Sequence, residues 1–138
     1  MVNQQFRDAL HILLALAFAG EMMDSRQLAA SINTNPVVVR RLLQSLRRSG
    51  LVTVCPGRNG GAALCRKPSE ISLLEIYEAV RPAPAIGICH RKTRRGCPVS
   101  CSMKEIMSDL AARTERAVRR DLRTTKLSGL LRRVGGEG

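Results

Sequence analysis

Asn35-Pro36 and Gly50 bracket the segment with the fewest structural options. Asparagine is a good helix N-cap, and proline at the first helical position gives up an N–H that had no partner. Glycine just past the last turn supplies a C-cap. Between them Val39, Leu42, Leu43 and Leu46 recur at spacings of three and four, which predicts an amphipathic helix with one buried stripe. Val37, Val38, Arg40, Arg41, Gln44, Arg47 and Arg48 are left pointing outward. Upstream, Ser25 can cap a helix in which Leu28, Ala29 and Ile32 share a face. Downstream, Leu51-Val52-Thr53-Val54-Cys55 is short and β-branched, Pro56-Gly57-Arg58-Asn59-Gly60-Gly61 is a turn cluster, and residues 62–66 return. Helix, tight turn, helix and hairpin make a winged helix-turn-helix, the shape of a duplex-DNA reader.

A reading helix places its N-terminal side chains on base edges and its flanking cations on phosphate. Arg40, Arg41 and Gln44 are the candidate base readers, and Val37 is placed to touch a thymine methyl. Arg58 sits at the wing tip, where a guanidinium can enter a minor groove or clamp a phosphate. Ser25, Thr34, Asn35, Pro36, Val38, Asn59 and Gly60 complete the expected DNA-facing set. The bland alternative is a solvated basic face, and the hairpin favours DNA over it. The net charge of +12 and pI near 11.0 suit a polyanionic partner. The excess is spread along the chain, as on a folded surface. Phe6, Phe18 and Tyr77 are the whole aromatic complement, too few for base stacking on single strands.

The remaining chain reads as helices too, so the fold class is mainly α with a small β-hairpin. A first helix over residues 3–19 carries the stripe Phe6, Ala9, Leu10, Leu13, Leu14 and Ala17. Asp8 and His11 on it read as surface or interface polar residues, or as a reach toward a metal site on a partner subunit. Ser72-Leu73-Leu74-Glu75 is a capping box opening a helix over residues 73–80, stopped by Pro82 and Pro84. Residues 85–96 form a loop rich in Arg and Lys. A long helix then starts at Pro98 or Ser102, with Met103, Ile106, Met107, Leu110, Thr114, Ala117, Val118 and Leu122 in one stripe. In a chain of 138 residues the expected cover for that stripe is the same helix from a second copy, in two-fold symmetry. The alternative is that the stripe folds back on its own domain. A paired reader calls for a near-palindromic site. A last helix over residues 126–133, capped by Thr125, precedes a tail expected to be disordered.

The expected organisation is therefore a DNA-binding domain at 1–82, a cysteine-containing loop at 83–101, dimerisation helices at 102–134 and the tail at 135–138. No signal peptide or membrane span is visible, so the expected location is the cytoplasm, where structural disulfides are rare. The chain has no Ser/His/Asp set, phosphate-binding glycine loop or paired catalytic carboxylates, so an enzyme is not expected. A winged fold used as a protein-binding scaffold remains an alternative to DNA.

Five cysteines then need an account. Cys89, Cys97 and Cys101 bracket the loop and the long helix start, with His90 beside the first. Cys97 and Cys101 are one helical turn apart. Arg91, Lys92, Arg94 and Arg95 favour thiolate nearby. Four readings stay open: an iron–sulfur cluster with a fourth ligand from elsewhere, a metal-free redox switch, zinc with His90 as fourth ligand, or small apolar residues. Cys55 and Cys65 flank the wing turn and read as ordinary hairpin residues, with no bond between them.

Several segments resemble the bacterial winged-helix regulators that include IscR, NsrR and CymR. They are Phe6-Arg7-Asp8-Ala9-Leu10-His11-Ile12-Leu13, Thr34-Asn35-Pro36-Val37-Val38-Val39-Arg40-Arg41, Gly57-Arg58-Asn59-Gly60-Gly61 and Ile71-Ser72-Leu73-Leu74-Glu75-Ile76, with residues 122–131. The resemblance implies a homodimeric transcription regulator, usually a repressor, with recognition helix and wing on DNA. In cluster-binding members three loop cysteines hold the cluster, some with an acidic ligand from the partner's first helix. Asp8 falls at that position. Gly96-Cys97-Pro98-Val99 and Thr34-Asn35-Pro36-Val37-Val38 look more like the cluster-free branch.

Overall fold

The structure is a computed structural model that describes residues 4–82, 84, 86 and 91–135. The helices are α1 (Gln4–Ala19), α2 (Ser25–Ile32), α3 (Pro36–Arg48), α4 (Leu73–Val80), α5 (Pro98–Thr124) and α6 (Leu127–Leu131). Strands β1 (Val52–Cys55) and β2 (Gly61–Leu64) form an antiparallel hairpin between α3 and α4. The fold is mainly α with a small wing, as expected. The chain divides into two compact units, residues 1–82 with 122–138, and residues 83–121.

The first unit owns the hydrophobic core. Ile12, Leu13, Leu28, Val39, Leu46, Leu51, Ile71, Ile76 and Leu127 are all sealed from solvent. The α3 stripe is buried at Val39, Leu42, Leu43 and Leu46, each side chain stabilising by about 1.5–3 kcal/mol. Val38, expected outside, is half-buried and packs against this core. Its position one residue before Val39 puts it at the edge of the stripe rather than on the opposite face.

The helix ends mostly follow local chemistry. The Asn35 carboxamide accepts from the Val38 N–H at 3.1 Å. At the far end of α3 the cap residue is Ser49, and Gly50 follows at φ 74° to turn the chain into β1. The α2 cap is a correction: Asp24, not Ser25, holds it. The Asp24 carboxylate accepts from the Gln27 N–H at 2.8 Å, and the Gln27 side chain accepts from the Asp24 N–H at 2.9 Å. A carboxylate near the helix N-terminus also complements its dipole, and Ser25 becomes the first helical residue. The α4 capping box forms as read, with Glu75 and Ser72 bonding reciprocally. The last helix is shorter than expected, and Lys126 rather than Thr125 is its N-cap, with no side-chain bond. Thr125 and Leu127 are drawn into backbone bonds instead. The Leu73 N–H donates to the Thr125 carbonyl at 2.9 Å and the Leu127 N–H to that of Ile71 at 2.9 Å.

In the second unit, α5 begins at Pro98 and no residue of the whole helix is buried. Residues 136–138, and with them nearly all of the expected disordered tail, lie outside the described residues.

Candidate nucleic-acid interface

Helices α2 and α3 are joined by Asn33, held left-handed at φ 68°, and by a bond from the Thr34 N–H to the Ala29 carbonyl at 2.9 Å. This turn sets the angle at which α3 is presented. Its four buried residues fix which way α3 rolls, so its other face is fixed too. Val37, Arg40, Arg41, Gln44, Arg47 and Arg48 are exposed along it, and Val37 keeps 56% of its surface open. Asn35 is exposed at the N-terminus, while Thr34 and Pro36 are half-buried beside it. Arg47 reaches back to the Gln44 side-chain oxygen at 3.4 Å, a long and weak bond on the exposed face.

The wing is built on the register Val52↔Leu64 to Cys55↔Gly61. Its turn needs glycine at position 60, because an added Cβ would lie 2.0 Å from the Cys55 carbonyl oxygen. Arg58 and Asn59 are exposed at the tip and Gly60 is half-buried behind them. The ribbon is tied to the first unit, since Met23 and Ala62 exchange backbone bonds of 3.0 and 2.8 Å. The Arg66 guanidinium fastens the base through Glu75 at 2.5 Å. Burial alone would push the Glu75 carboxyl up. The Arg66 hydrogen bond, the Ser72 N–H and the Arg66 charge outweigh that and hold it below its usual range. Sequence reading missed this pair, because nothing local marks an Arg nine residues before a capping-box Glu as its partner.

Asp8 is a further correction. Expected at a surface or interface, it is 5% exposed, with Arg7 at 3.5 Å. It shares a cleft of about 360 Å³ with Thr34, Val38 and Arg41, so the structure brings it beside α3 of its own chain. His11 meets the Ser31 hydroxyl at 2.8 Å, linking α1 to α2 across a separation no sequence pattern marks.

The cysteines fall into two groups. Cys55 and Cys65 are exposed free thiols, Cys55 opposite Gly61 near the tip and Cys65 at the base, where its N–H bonds the Leu51 carbonyl. Cys97 and Cys101 lie at the start of α5, the Cys101 N–H donating to the Cys97 carbonyl at 3.0 Å and the Ser100 N–H to the Cys97 sulfur at 3.5 Å. The Cys101 thiol approaches the Arg94 carbonyl at 3.9 Å. Cys89 and His90 lie outside the described residues. Among those described, no three His, Cys, Asp or Glu side chains converge as a metal site. Two thiols fall short of the three or four protein ligands that a cluster or zinc takes, so the described donor set does not by itself fit either group.

Comparison with known proteins follows the same lines. A family model described as "Rrf2: Iron-dependent Transcriptional regulator" matches residues 2–133. YwnA of Bacillus subtilis, an HTH-type transcriptional regulator by inferred function, is 33% identical over 131 residues, covering 95% of this chain and 97% of that protein. A crystal structure from Lactobacillus plantarum, also a transcriptional regulator by inference, superposes with a TM-score of 0.80 at 27% identity, over 97% of this chain and 91% of that one. CymR, the global cysteine regulator of Bacillus subtilis, shares the fold with a TM-score of 0.63 at 20% identity, over 96% of each chain. The winged reader, the long following helix and this match over nearly the whole length agree: the chain belongs to the Rrf2 family of transcriptional regulators, which are DNA-binding proteins and not enzymes.

Proposed function

We propose that the protein is a homodimeric, sequence-specific repressor that reads duplex DNA in the cytoplasm, with the thiols at the start of α5 tuning its affinity. The observation that carries the DNA reading is the exposed polar face of α3, with Arg40, Arg41 and Gln44 on the side opposite a sealed stripe. In this reading Thr34, Asn35, Pro36, Val37 and Val38 bring the helix end to the backbone and groove edge. Arg58, Asn59 and Gly60 engage the flanking phosphates or minor groove, and Ser25 adds a contact from the first turn of α2. A gel shift of promoter duplexes tests the reading, and failure to bind any duplex above non-specific affinity would leave a protein-binding scaffold in its place.

Dimerisation is supported by α5. Val99, Met103, Ile106 and Leu110 are 66%, 41%, 46% and 39% exposed, a run of large apolar side chains that a single chain leaves wet. Phe18, 65% exposed beside Leu10 and Leu14, offers a second apolar surface on α1. Residues 102–134 serve as the dimerisation element and residues 1–82 as the DNA-binding domain. Sedimentation at micromolar concentration is expected to give a dimer, and a monomer for Ile106→Asp.

The sensing reading rests on Cys97, immediately before α5, and Cys101, whose N–H bonds the Cys97 carbonyl across the first turn, next to Arg94. A change at the thiols would move the helix start and so the spacing of two readers. Operator affinity measured with reduced, oxidised and iron-loaded protein is expected to differ between states. Equal affinities would leave a constitutive regulator. Anaerobically purified protein that is brown would favour a cluster completed by Cys89, with Asp8 or His90 as fourth ligand; colourless protein would favour thiol chemistry.

A further inference from the structure

A two-stranded ribbon is marginal on its own. An arginine at its tip adds to binding only if the ribbon is held still, since otherwise each contact must first repay the ordering of the loop. The wing base has three fastenings. Ala62 exchanges backbone bonds with Met23, and the Cys65 N–H donates to the Leu51 carbonyl at 3.0 Å. Both are backbone bonds: the first ties β2 to the segment before α2, and the second continues the ribbon's own ladder past β1. The third is different in kind. Arg66, just past β2, donates through Nη1 to Glu75 Oε1 and through Nη2 to the Glu70 carbonyl, each at 2.5 Å.

Two prongs on two acceptors fix the plane of the guanidinium as well as its position. The acceptor side is equally fixed. Glu75 Oε2 accepts from the Ser72 N–H at 3.0 Å, and the Glu75 N–H donates to the Ser72 hydroxyl at 3.3 Å. Glu75 is therefore the N3 residue of the α4 capping box and the anchor of the wing at once. Its two oxygens are divided between the jobs, one to Ser72 and one to Arg66.

We propose that Arg66 and Glu75 form a positioning clamp that sets how the wing tip is presented, so that Glu75 determines how much Arg58 contributes to DNA binding. The clamp rests on the reading of Arg58 as a DNA contact. Neither clamp residue needs to touch DNA for this role. Their effect reaches the nucleic acid through the hairpin.

The test is a double-mutant cycle between Arg58→Ala and Glu75→Gln, read as affinity for a duplex that the native protein has selected from a random-sequence pool. Glutamine keeps the side-chain oxygen that a capping box requires and removes the charge that holds Arg66. In the native background Arg58→Ala is expected to weaken binding about tenfold, the loss of one charge-assisted contact. In the Glu75→Gln background the same change is expected to cost about two- to threefold, because the wing is no longer aimed. Arg66→Lys, which keeps the charge but cannot fork, is expected to shrink the Arg58 effect likewise, and serves if Glu75→Gln folds poorly. Glu75 acting only on stability would lower the melting temperature yet leave the Arg58 factor unchanged, and equal factors in all backgrounds overturn the clamp. An Arg58→Ala protein that binds as well as the native one overturns the DNA-contact reading itself, and the clamp with it.

Discussion

Helices α3 and α5 carry the same kind of stripe and meet opposite fates. In α3 the residues at positions 39, 42, 43 and 46 are between 0% and 6% exposed. In α5 the equivalent Met103, Ile106 and Leu110 are around two-fifths exposed, and nothing on the helix is buried. Apolar periodicity says only that a helix has a face to hide. It does not say who hides it. A face covered by its own chain contributes to folding at any dilution, whereas one left open contributes only when another surface arrives, and then by an amount that grows with the logarithm of concentration.

The largest effect expected follows directly. Leu46→Ala should cost about 2–5 kcal/mol in urea denaturation, the same at every protein concentration. Ile106→Ala should cost little in dilute solution and progressively more as the protein is concentrated. An Ile106→Ala cost that matches that of Leu46→Ala at all dilutions would mean that α5 is covered by its own chain, and the contrast would dissolve.

The outer faces give the next test. Both helices expose arginines, but only those of α3 are backed by a rigid core and followed by a wing. Arg41→Ala should cost about 1–3 kcal/mol of operator binding and relax sequence choice. Arg113→Ala, on an exposed position of α5, should change neither. A uniform loss from both, without change of preference, would reduce the α3 face to a phosphate-binding surface.

The helix starts differ as well. Asn35 caps α3 through an oxygen at 3.1 Å, while α5 has a cysteine sulfur at 3.5 Å from the Ser100 N–H. Asn35→Ala should destabilise the protein by about 1 kcal/mol in thermal or urea unfolding. Cys97→Ala should cost measurably less, since sulfur is a weak acceptor.

What could be read in advance follows from range. The α3 stripe, the Ser72–Glu75 box and the glycine-tipped hairpin are written in spacings of one to four residues, and all three formed. The Asp24 cap was missed by one position because Ser25 is an equally good capping residue and only the geometry separates them. The burial of Asp8 was missed because a carboxylate's surroundings come from α3 and α4, elements its own helix pattern does not describe. The Arg66–Glu75 and His11–Ser31 contacts join segments that approach only after folding. For the interface, the polar face of α3 was legible as the complement of its stripe, and only Val38, at the stripe's edge, moved inward.

The smallest effect concerns the charged pairs of the two regions. Glu115 and Arg119 sit one turn apart on α5 at 3.3 Å, with side chains 30% and 41% exposed, and such an i,i+4 pair contributes about 0.3–0.5 kcal/mol. Arg66–Glu75 joins two elements rather than two turns of one helix. The folded-state pKa of Glu75 lies below its ordinary value of 4.5, so its contribution is fully present above that pH and is lost as pH falls through the lower folded value. Because its side chain is still 38% exposed, solvent screening keeps the contribution below about 1 kcal/mol. Unfolding of the native protein and of Glu75→Gln should therefore differ at pH 6 and converge as the solution is taken well below pH 4.5. The Glu115→Gln pair of curves should run nearly parallel and close together. A gap between the native protein and Glu75→Gln that widened toward acid would reverse the sign, and would mean that desolvation, rather than the arginine, dominates the carboxyl at the wing's base.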